Sequence, residues 1–304
     1  MILCCGEALI DMLPRTTTDG VDAFAPFPGG SVFNTAIALG RLGEASGFFS
    51  GLSSDLFGDM LRDSLTASNV DHGPAHVSDR PTTLAFVRLI DGQATYAFYD
   101  ENTAGRMLTE ADLPDTPADA LFFGGISLVA EPCGSAYDAL QARAAPDAVT
   151  MIDPNIRTSF VTDEGAYRAR IERMIARADI VKISDEDLHW IEGEGDPASL
   201  ARDILSRGPS LVLVTEGARG ATGYTATLTE RVGARRVNVV DTVGAGDTFN
   251  AGVLASLSRA GALTKSALRE LSAGTVRDAI DLGARAAAVT VSRAGANPPW
   301  RHDL

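Results

Sequence analysis

Asp247 is the residue of this chain whose type and position point most directly to chemistry. It stands in Asp241-Thr-Val-Gly-Ala-Gly-Asp-Thr-Phe-Asn-Ala-Gly252, after Arg236-Val-Asn-Val-Val240, which predicts a short buried strand. Apolar residues at Phe249, Val253, Leu254 and Leu257 then recur with a helical period. Gly244 and Gly246 therefore fall in a strand-to-helix turn, where the missing Cβ lets the chain bend and lets a ligand approach the backbone. The helix start supplies unpaired N–H groups and partial positive charge, so Gly244, Ala245 and Gly246 suit an anion such as a phosphoryl group. A carboxylate there repels phosphate unless it has a task, and taking a proton from an attacking hydroxyl is one. The alternative is that Asp247 only caps the helix and the glycines only turn the chain.

Five other clusters carry polar groups to the ends of elements. Pro28-Gly29-Gly30-Ser31-Val-Phe-Asn34-Thr-Ala36 opens a second helix, with Ser31 as its expected N-cap. Asp11 closes Gly6-Glu-Ala-Leu-Ile-Asp11 just after the first strand, where it can accept hydrogen bonds from sugar hydroxyls or merely serve a turn. Asp153-Pro-Asn-Ile-Arg157 follows another strand, and Arg157 suits either a transferring phosphoryl group or a surface ion pair. Val181-Lys-Ile-Ser-Asp-Glu-Asp-Leu188 and Val212-Leu-Val-Thr-Glu-Gly-Ala-Arg-Gly220 finish two more strands.

The elements that must hold these residues alternate. Strand-like runs at Ile2–Cys5, Ala45–Phe49, Ala120–Phe123, Val149–Ile152, Ile180–Ile183, Leu211–Thr215 and Val237–Val240 are separated by helical segments such as Val32–Leu42, Gly134–Ala144, Gly165–Arg177, Ala198–Arg207 and Ala279–Val289. That order predicts an α/β fold of three layers, a mostly parallel sheet with helices on both faces and ligands at the carboxyl ends of its strands. Pro81–Ile90 and Ala94–Tyr99 break the pattern as alternating β runs joined by the turn signal Asp91-Gly92. Together with Asp11–Phe27 they predict a small separate sheet acting as a lid.

Composition narrows the partners. The 304 residues carry 40 acidic and 26 basic side chains, a formal net charge of −14, and 45% of the chain is hydrophobic. A large core is affordable, while nucleic acid and anionic membranes are repelled, which favours a small-molecule partner. No apolar run is long enough to span a bilayer and no leader follows Met1, so a cytoplasmic protein is expected. Cys4, Cys5 and Cys133 form neither a disulfide framework nor a zinc pattern. There is no Gly-x-x-x-x-Gly-Lys-Ser/Thr phosphate loop and no Gly-x-Ser-x-Gly elbow.

Taken in order, these blocks resemble the ribokinase-like (PfkB) carbohydrate kinase family over essentially the whole chain. The resemblance rests on Gly29-Gly30-x-x-x-Asn34 and on Asp241-Thr-x-Gly-Ala-Gly-Asp247-Thr-Phe. Within the family the chain is most similar to bacterial fructokinases, through Gly-Glu-Ala-Leu-Ile-Asp11, Tyr-Ala-Phe-Tyr-Asp-Glu-Asn-Thr-Ala and Lys182-Ile-Ser-Asp-Glu. The resemblance implies one domain over residues 1–304 with a lid from about 12–28 and 80–107. It implies Asp247 as base, the amides from Gly244 to Asp247 as anion hole, Arg157 as a phosphate contact, and Asp11, Gly29, Gly30 and Asn34 as sugar contacts. Lys182, Ser184, Thr215, Gly217, Gly220 and Asn297 match the nucleotide side. Asp241 and Val243, with 292–297, match a monovalent-cation loop, so ATP, Mg²⁺ and K⁺ are implied, with a homodimer formed through the lid. Two departures stand out. The family's Asn-x-x-Glu magnesium motif is here Ser184-Asp-Glu-Asp187, and Asp100 stands where fructokinase lids often have a basic residue. Fructose is the leading sugar. A 2-keto-3-deoxygluconate kinase, with Arg88 and Arg106 meeting a carboxylate, a nucleoside kinase, and a sugar-binding regulator without catalysis are the alternatives.

Overall fold

The computed structural model describes residues 1–90 and 93–304, and of residues 88–90 and 93–96 the backbone alone. The Asp91-Gly92 turn signal and the Arg88 side chain lie outside what is described. In chain order the strands are β1 Ile2–Cys5, β2 Leu9–Thr16, β3 Asp22–Gly29, β4 Ser46–Phe49, β5 Gly51–Ser53, β6 Val70–Asp71, β7 His76–Ser78, β8 Leu84–Ile90, β9 Gln93–Tyr99, β10 Ala120–Gly124, β11 Val149–Asp153, β12 Ile180–Ser184, β13 Leu211–Thr215, β14 Ala221–Tyr224 and β15 Thr229–Val232. The helices are α1 Ser31–Arg41, α2 Leu56–Ala67, α3 Cys133–Ala144, α4 Glu164–Arg177, α5 Asp185–Glu192, α6 Pro197–Leu205, α7 Ala245–Arg259, α8 Lys265–Arg269 and α9 Ala273–Val291.

Among the described residues the main sheet has nine strands in the order β15-β14-β13-β12-β11-β10-β1-β4-β6. It is parallel from β6 to β13, and β14 and β15 close one side antiparallel. Its centre is buried on both faces: every residue of Ile-Leu-Cys-Cys in β1 and Ala-Leu-Phe-Phe-Gly in β10 is buried, as expected where helices cover both sides. One core lies on the side of α1 and α7, with Phe33, Phe48, Phe122 and Leu254, and another on the side of α3 and α4, with Phe49, Phe123, Tyr137 and Ile171. The expected α/β architecture of three layers is therefore the observed one. Cys4, Cys5 and Cys133 are free and buried in these cores.

The predicted strand at Val237–Val240 does not form. Residues 233–240 run as irregular chain, and Val237, Val239 and Val240 are 41%, 58% and 57% exposed. The sheet ends at β15 on that side, and this segment does not add a strand to it. Val240 and Asp241 instead donate their amides to the carbonyl of Val291 at the end of α9, at 2.8 and 3.2 Å. The glycine turn is thus fastened to a helix end and not to the sheet. Helices α7 and α9 meet almost backbone to backbone: a Cβ on Gly252 would stand 2.6 Å from the Cα of Gly283.

A second sheet of four strands, β3-β2-β8-β9, stands apart from the first. Asp11 belongs to it, inside β2 and opposite Phe27 and Ala85, and not to the end of a main-sheet strand as its position after Ile2–Cys5 suggests. On one face Phe86 stacks edge to face between Phe24 and Tyr99, at 5.0 and 5.4 Å. Phe24 and Tyr99 remain 48% and 63% exposed. Phe98 points the other way, over the cleft, where its ring meets Phe160 at 4.4 Å.

Candidate active site

Helix α7 starts at Gly244, whose φ of 78° and ψ of 3° are left-handed. A Cβ there would also come within 2.8 Å of the Ala296 side chain, so only glycine fits on both counts. Asp247 lies in the first turn, not at the cap, and Gly244 provides no side-chain cap. Its carboxylate faces α1: Oδ1 accepts from Ser31 Oγ at 2.8 Å and Oδ2 from Asn34 Nδ2 at 2.9 Å, while its carbonyl accepts from Thr35 Oγ1 at 3.1 Å. The capping alternative is thereby excluded. Ser31, Asn34 and Thr35 share one helix face because they are three and four residues apart. Ser31 is the first helical residue, not the N-cap; Gly30 holds that place at φ 110°, which frees the hydroxyl for Asp247.

Burial pushes the Asp247 carboxyl up to about 6, against the pull of the Asn34 and Ser31 hydrogen bonds; Asp153 pushes the same way and Lys182 opposes it. Two of its roughly four lone-pair sites are occupied, so it retains acceptor capacity for a proton. Asp11 is likewise raised to about 6, by burial and then by the charge of Asp247. Two carboxylates of like charge therefore face one space, the one on α7 and the other on β2.

The ends of β11 and β12 bring a cation to the same place. Lys182 is 5% exposed and donates to Asp153 Oδ2 at 2.8 Å, and Asn250 Nδ2 donates to the same oxygen at 2.7 Å. The Lys182 ammonium is also 3.3 Å from where a Cβ on Gly246 would stand, beside the α7 amides. Asp153 Oδ1 is buried with no hydrogen-bond partner. Asp187, 8% exposed, is raised to about 6 by burial and then by Asp153, with Lys182, Ser184 and the Ile156 amide holding it down.

Asp11, Asp153, Lys182 and Asp247 line one open cleft of about 1330 Å³, and Asn250 and Asp187 stand behind its wall. It takes in Asp11, Gly30, Asn34 and Asp247 on one side, and Val243, Gly244, Ala245 and Gly246 with Lys182 and Arg157 on the other. Arg157 is exposed and has no ion pair among the described residues; its guanidinium donates to the Ile156 carbonyl. Gly29 sits behind the cleft, and a Cβ there would strike Asp11 Oδ2 at 2.3 Å. Ser184 caps α5 and pairs in register with Thr215 on β13, and Gly217 and Gly220 follow with φ of 54° and 99°, so these four share one rim beside the cleft. Asp241 accepts from the amides of Val243 and Gly295 at 3.1 and 2.9 Å, clamping the loop to the last segment. Asn297 is not brought to the cleft: its side chain accepts from Arg41 at the far end of α1, at 2.8 Å.

Several residues of the site go unmarked by sequence motifs. The Ser31 hydroxyl, Asn155, which donates to it at 3.0 Å from a left-handed backbone (φ 44°), and Asn250 are the main ones. Helical spacing alone marks two of them, since Asn250 lies three residues beyond Asp247 as Asn34 lies three beyond Ser31.

Comparison with known proteins agrees with this geometry. Residues 1–303 match the model of the pfkB family carbohydrate kinases. The chain belongs to that carbohydrate kinase family. It is 56% identical over 283 residues to a fructokinase of Rhizobium leguminosarum bv. trifolii, covering 92% of this chain and 87% of that protein. A crystal structure of a fructokinase with bound ATP from Xylella fastidiosa superposes with a TM-score of 0.89 at 30% identity, over 97% of this chain and 93% of that one. A fructokinase of Vibrio cholerae O395, in its fructose, ADP and calcium ion bound form, gives 0.84 at 27% identity over 97% and 94%. This carbohydrate kinase has no helix, among the described residues, long and apolar enough to cross a membrane.

Proposed function

We propose that this carbohydrate kinase transfers the γ-phosphoryl group of ATP to the 6-hydroxyl of fructose. The observation that carries this reading is the placement of Asp247, held by Ser31 and Asn34 on the wall that also presents Asp11, within the first turn of an amide-rich helix. Asp11, Gly30 and Asn34 would hold the sugar hydroxyls. Asp247 takes the proton of the 6-hydroxyl as its oxygen bonds to phosphorus, the bond to the ADP oxygen breaks, and the amides from Gly244 to Asp247 receive the equatorial charge. Lys182 and Arg157 neutralise the phosphoryl group, which moves Lys182 from the outer nucleotide rim to the point of transfer. The rim of Ser184, Thr215, Gly217 and Gly220 takes the rest of the nucleotide. The second sheet acts as a lid over one catalytic domain, and consumption of ATP suits a cytoplasmic enzyme.

A magnesium ion fits this chain. Mg²⁺ is commonly held by one or two carboxylates together with phosphates and water, and Asp153, with its unpartnered Oδ1, and Asp187 offer that donor set. When bound, the ion neutralises phosphate charge. The clamp made by Asp241 beside Val243 suits a monovalent cation that stiffens the anion hole, and the exposed Phe24–Phe86–Tyr99 face of the lid suits pairing with a second copy.

Fructose is favoured over a sugar acid because Arg106, the lid-side cation expected to meet a carboxylate, is engaged by Asp100 at 3.9 Å and by the Glu131 carbonyl at 3.3 Å. ADP release measured with fructose, 2-keto-3-deoxygluconate and a set of nucleosides tests the reading. Fructose should give the highest kcat/KM, and a preference for either alternative refutes it.

A further inference from the structure

Glu7, in the opening motif, touches neither Asp247 nor the phosphoryl-binding turn, yet it ties three elements together. Its Oε1 accepts from the amide of Ser31 at 2.9 Å and its Oε2 from the amide of Ser127 at 3.3 Å. Its own carbonyl accepts from the amide of Phe33 at 3.3 Å. Helix α1 has no side-chain cap of its own, so Glu7 caps it from 24 residues away, placing negative charge at the positive end. Gly125, at φ 68°, keeps the space open: a Cβ there would stand 2.1 Å from Oε1. The residue whose amide Glu7 holds is the one whose hydroxyl reaches Asp247, and Asn155 steadies that hydroxyl from the other side.

We infer that Glu7 is a positioning residue for catalysis: its carboxylate fixes the first turn of α1 so that the Ser31 hydroxyl meets Asp247, and moors that turn to the Ser127 amide just beyond β10. The inference rests on the reading of Asp247 as base. Both oxygens of Glu7 must accept, which glutamate can do and glutamine cannot, because a Gln amide nitrogen would face a backbone donor. When the first turn shifts, Ser31 moves off Oδ1 and Asp247 loses a hydrogen bond that favours its charged form. The other charged groups about Asp247 are Asp11 on β2, Asp153 on β11 and Lys182 on β12, none of which Glu7→Gln alters.

The test reads kcat at saturating sugar and ATP against pH for Glu7→Gln, Ser31→Ala and the double variant, with folding checked by circular dichroism. Glu7→Gln should lower kcat by about 10- to 10²-fold and move the acid limb to higher pH, as a small displacement at a distance can do. Ser31→Ala should move the limb the same way, and adding Glu7→Gln to it should change kcat by less than about two-fold, the signature of a shared route. A Glu7→Gln enzyme that only melts earlier, with kcat and limb unmoved, overturns the inference, as do additive losses. If Glu7→Gln does not fold, Glu7→Asp, which keeps the charge but shortens the reach, takes its place with the same expectations. If neither folds, an unmoved limb in Ser31→Ala overturns it and a raised limb supports it. Failure of the underlying reading shows separately, as turnover retained by Asp247→Asn.

Discussion

Replacing Asp247 by Asn should abolish most turnover and, at neutral pH, ease the fold. The carboxyl is raised from 3.8 to about 6 because ionising it inside the protein is unfavourable. A rise of about two units corresponds to about 3 kcal/mol of native stability given up once the group is fully charged. The native state binds the proton more tightly than the unfolded chain, so this contribution is whole below the unfolded value of 3.8 and is lost as pH rises through about 6. At pH 8 the wild type carries the full penalty and the Asn variant carries none. Ser31 and Asn34 both donate to the carboxylate, and the Asn variant can keep both contacts by turning its oxygen to Asn34 and its amide nitrogen to the Ser31 hydroxyl, which accepts as well as donates. The gain is largest at high pH, and its change with pH is diagnostic. Between pH 8 and pH 5 the stability of the variant relative to wild type should fall by about 1.5 kcal/mol, a few degrees in Tm. Relief of Asp11, which Asp247 also pushes up, adds in the same direction. Thermal melts of both proteins at pH 5 and pH 8, with ADP release at saturating substrates, measure the two effects. Turnover should drop by about 10²-fold or more. A Tm difference that does not change with pH, or turnover near wild type, would refute the reasoning.

Asp11→Ala should raise the apparent KM for sugar at least ten-fold, about 1.4 kcal/mol of lost binding, and leave the KM for ATP unchanged; steady-state kinetics with each substrate varied decides it. Rates should be higher in K⁺ than in a large organic cation at equal ionic strength, since an ion beside Asp241 and Val243 would stiffen the carbonyls behind the anion hole; equal rates remove that role. Light scattering at micromolar concentration should give a dimeric mass, reduced to a monomeric one by Phe86→Asp, which puts a charge between Phe24 and Tyr99. A dimer that survives the substitution has its interface elsewhere.

The parallel sheet was legible in the sequence because its strands, buried on both faces, read as short apolar runs between helical periods. The same signal failed at Val237–Val240, where alternating valines look like a strand but stay exposed, and the Val240 amide bonds to the end of α9 instead of to the sheet. Composition cannot tell an apolar residue left exposed from one that lines a core. Asp247 was legible because a carboxylate among helix-opening glycines conflicts with local electrostatics. Ser31 was read as a cap, since its contact with Asp247 spans 216 residues and no local pattern announces it. Asp11 was placed at a strand end because the chain leaves β1 and enters the second sheet within three residues, Gly6 to Ala8.

The near contact of Gly252 with Gly283 gives α9 a lever on the reaction. The turn carrying Gly244 hangs from two supports, the body of α7 and the Val291 carbonyl that closes α9, and the glycine pair sets the distance between them. A methyl group at either glycine would push the helices apart and tilt the anion-binding amides while touching no ligand. Adaptation of this enzyme to a new temperature or a new rate therefore has a route through the spacing of a helix pair, leaving the sugar contacts, and with them the choice of substrate, as they are.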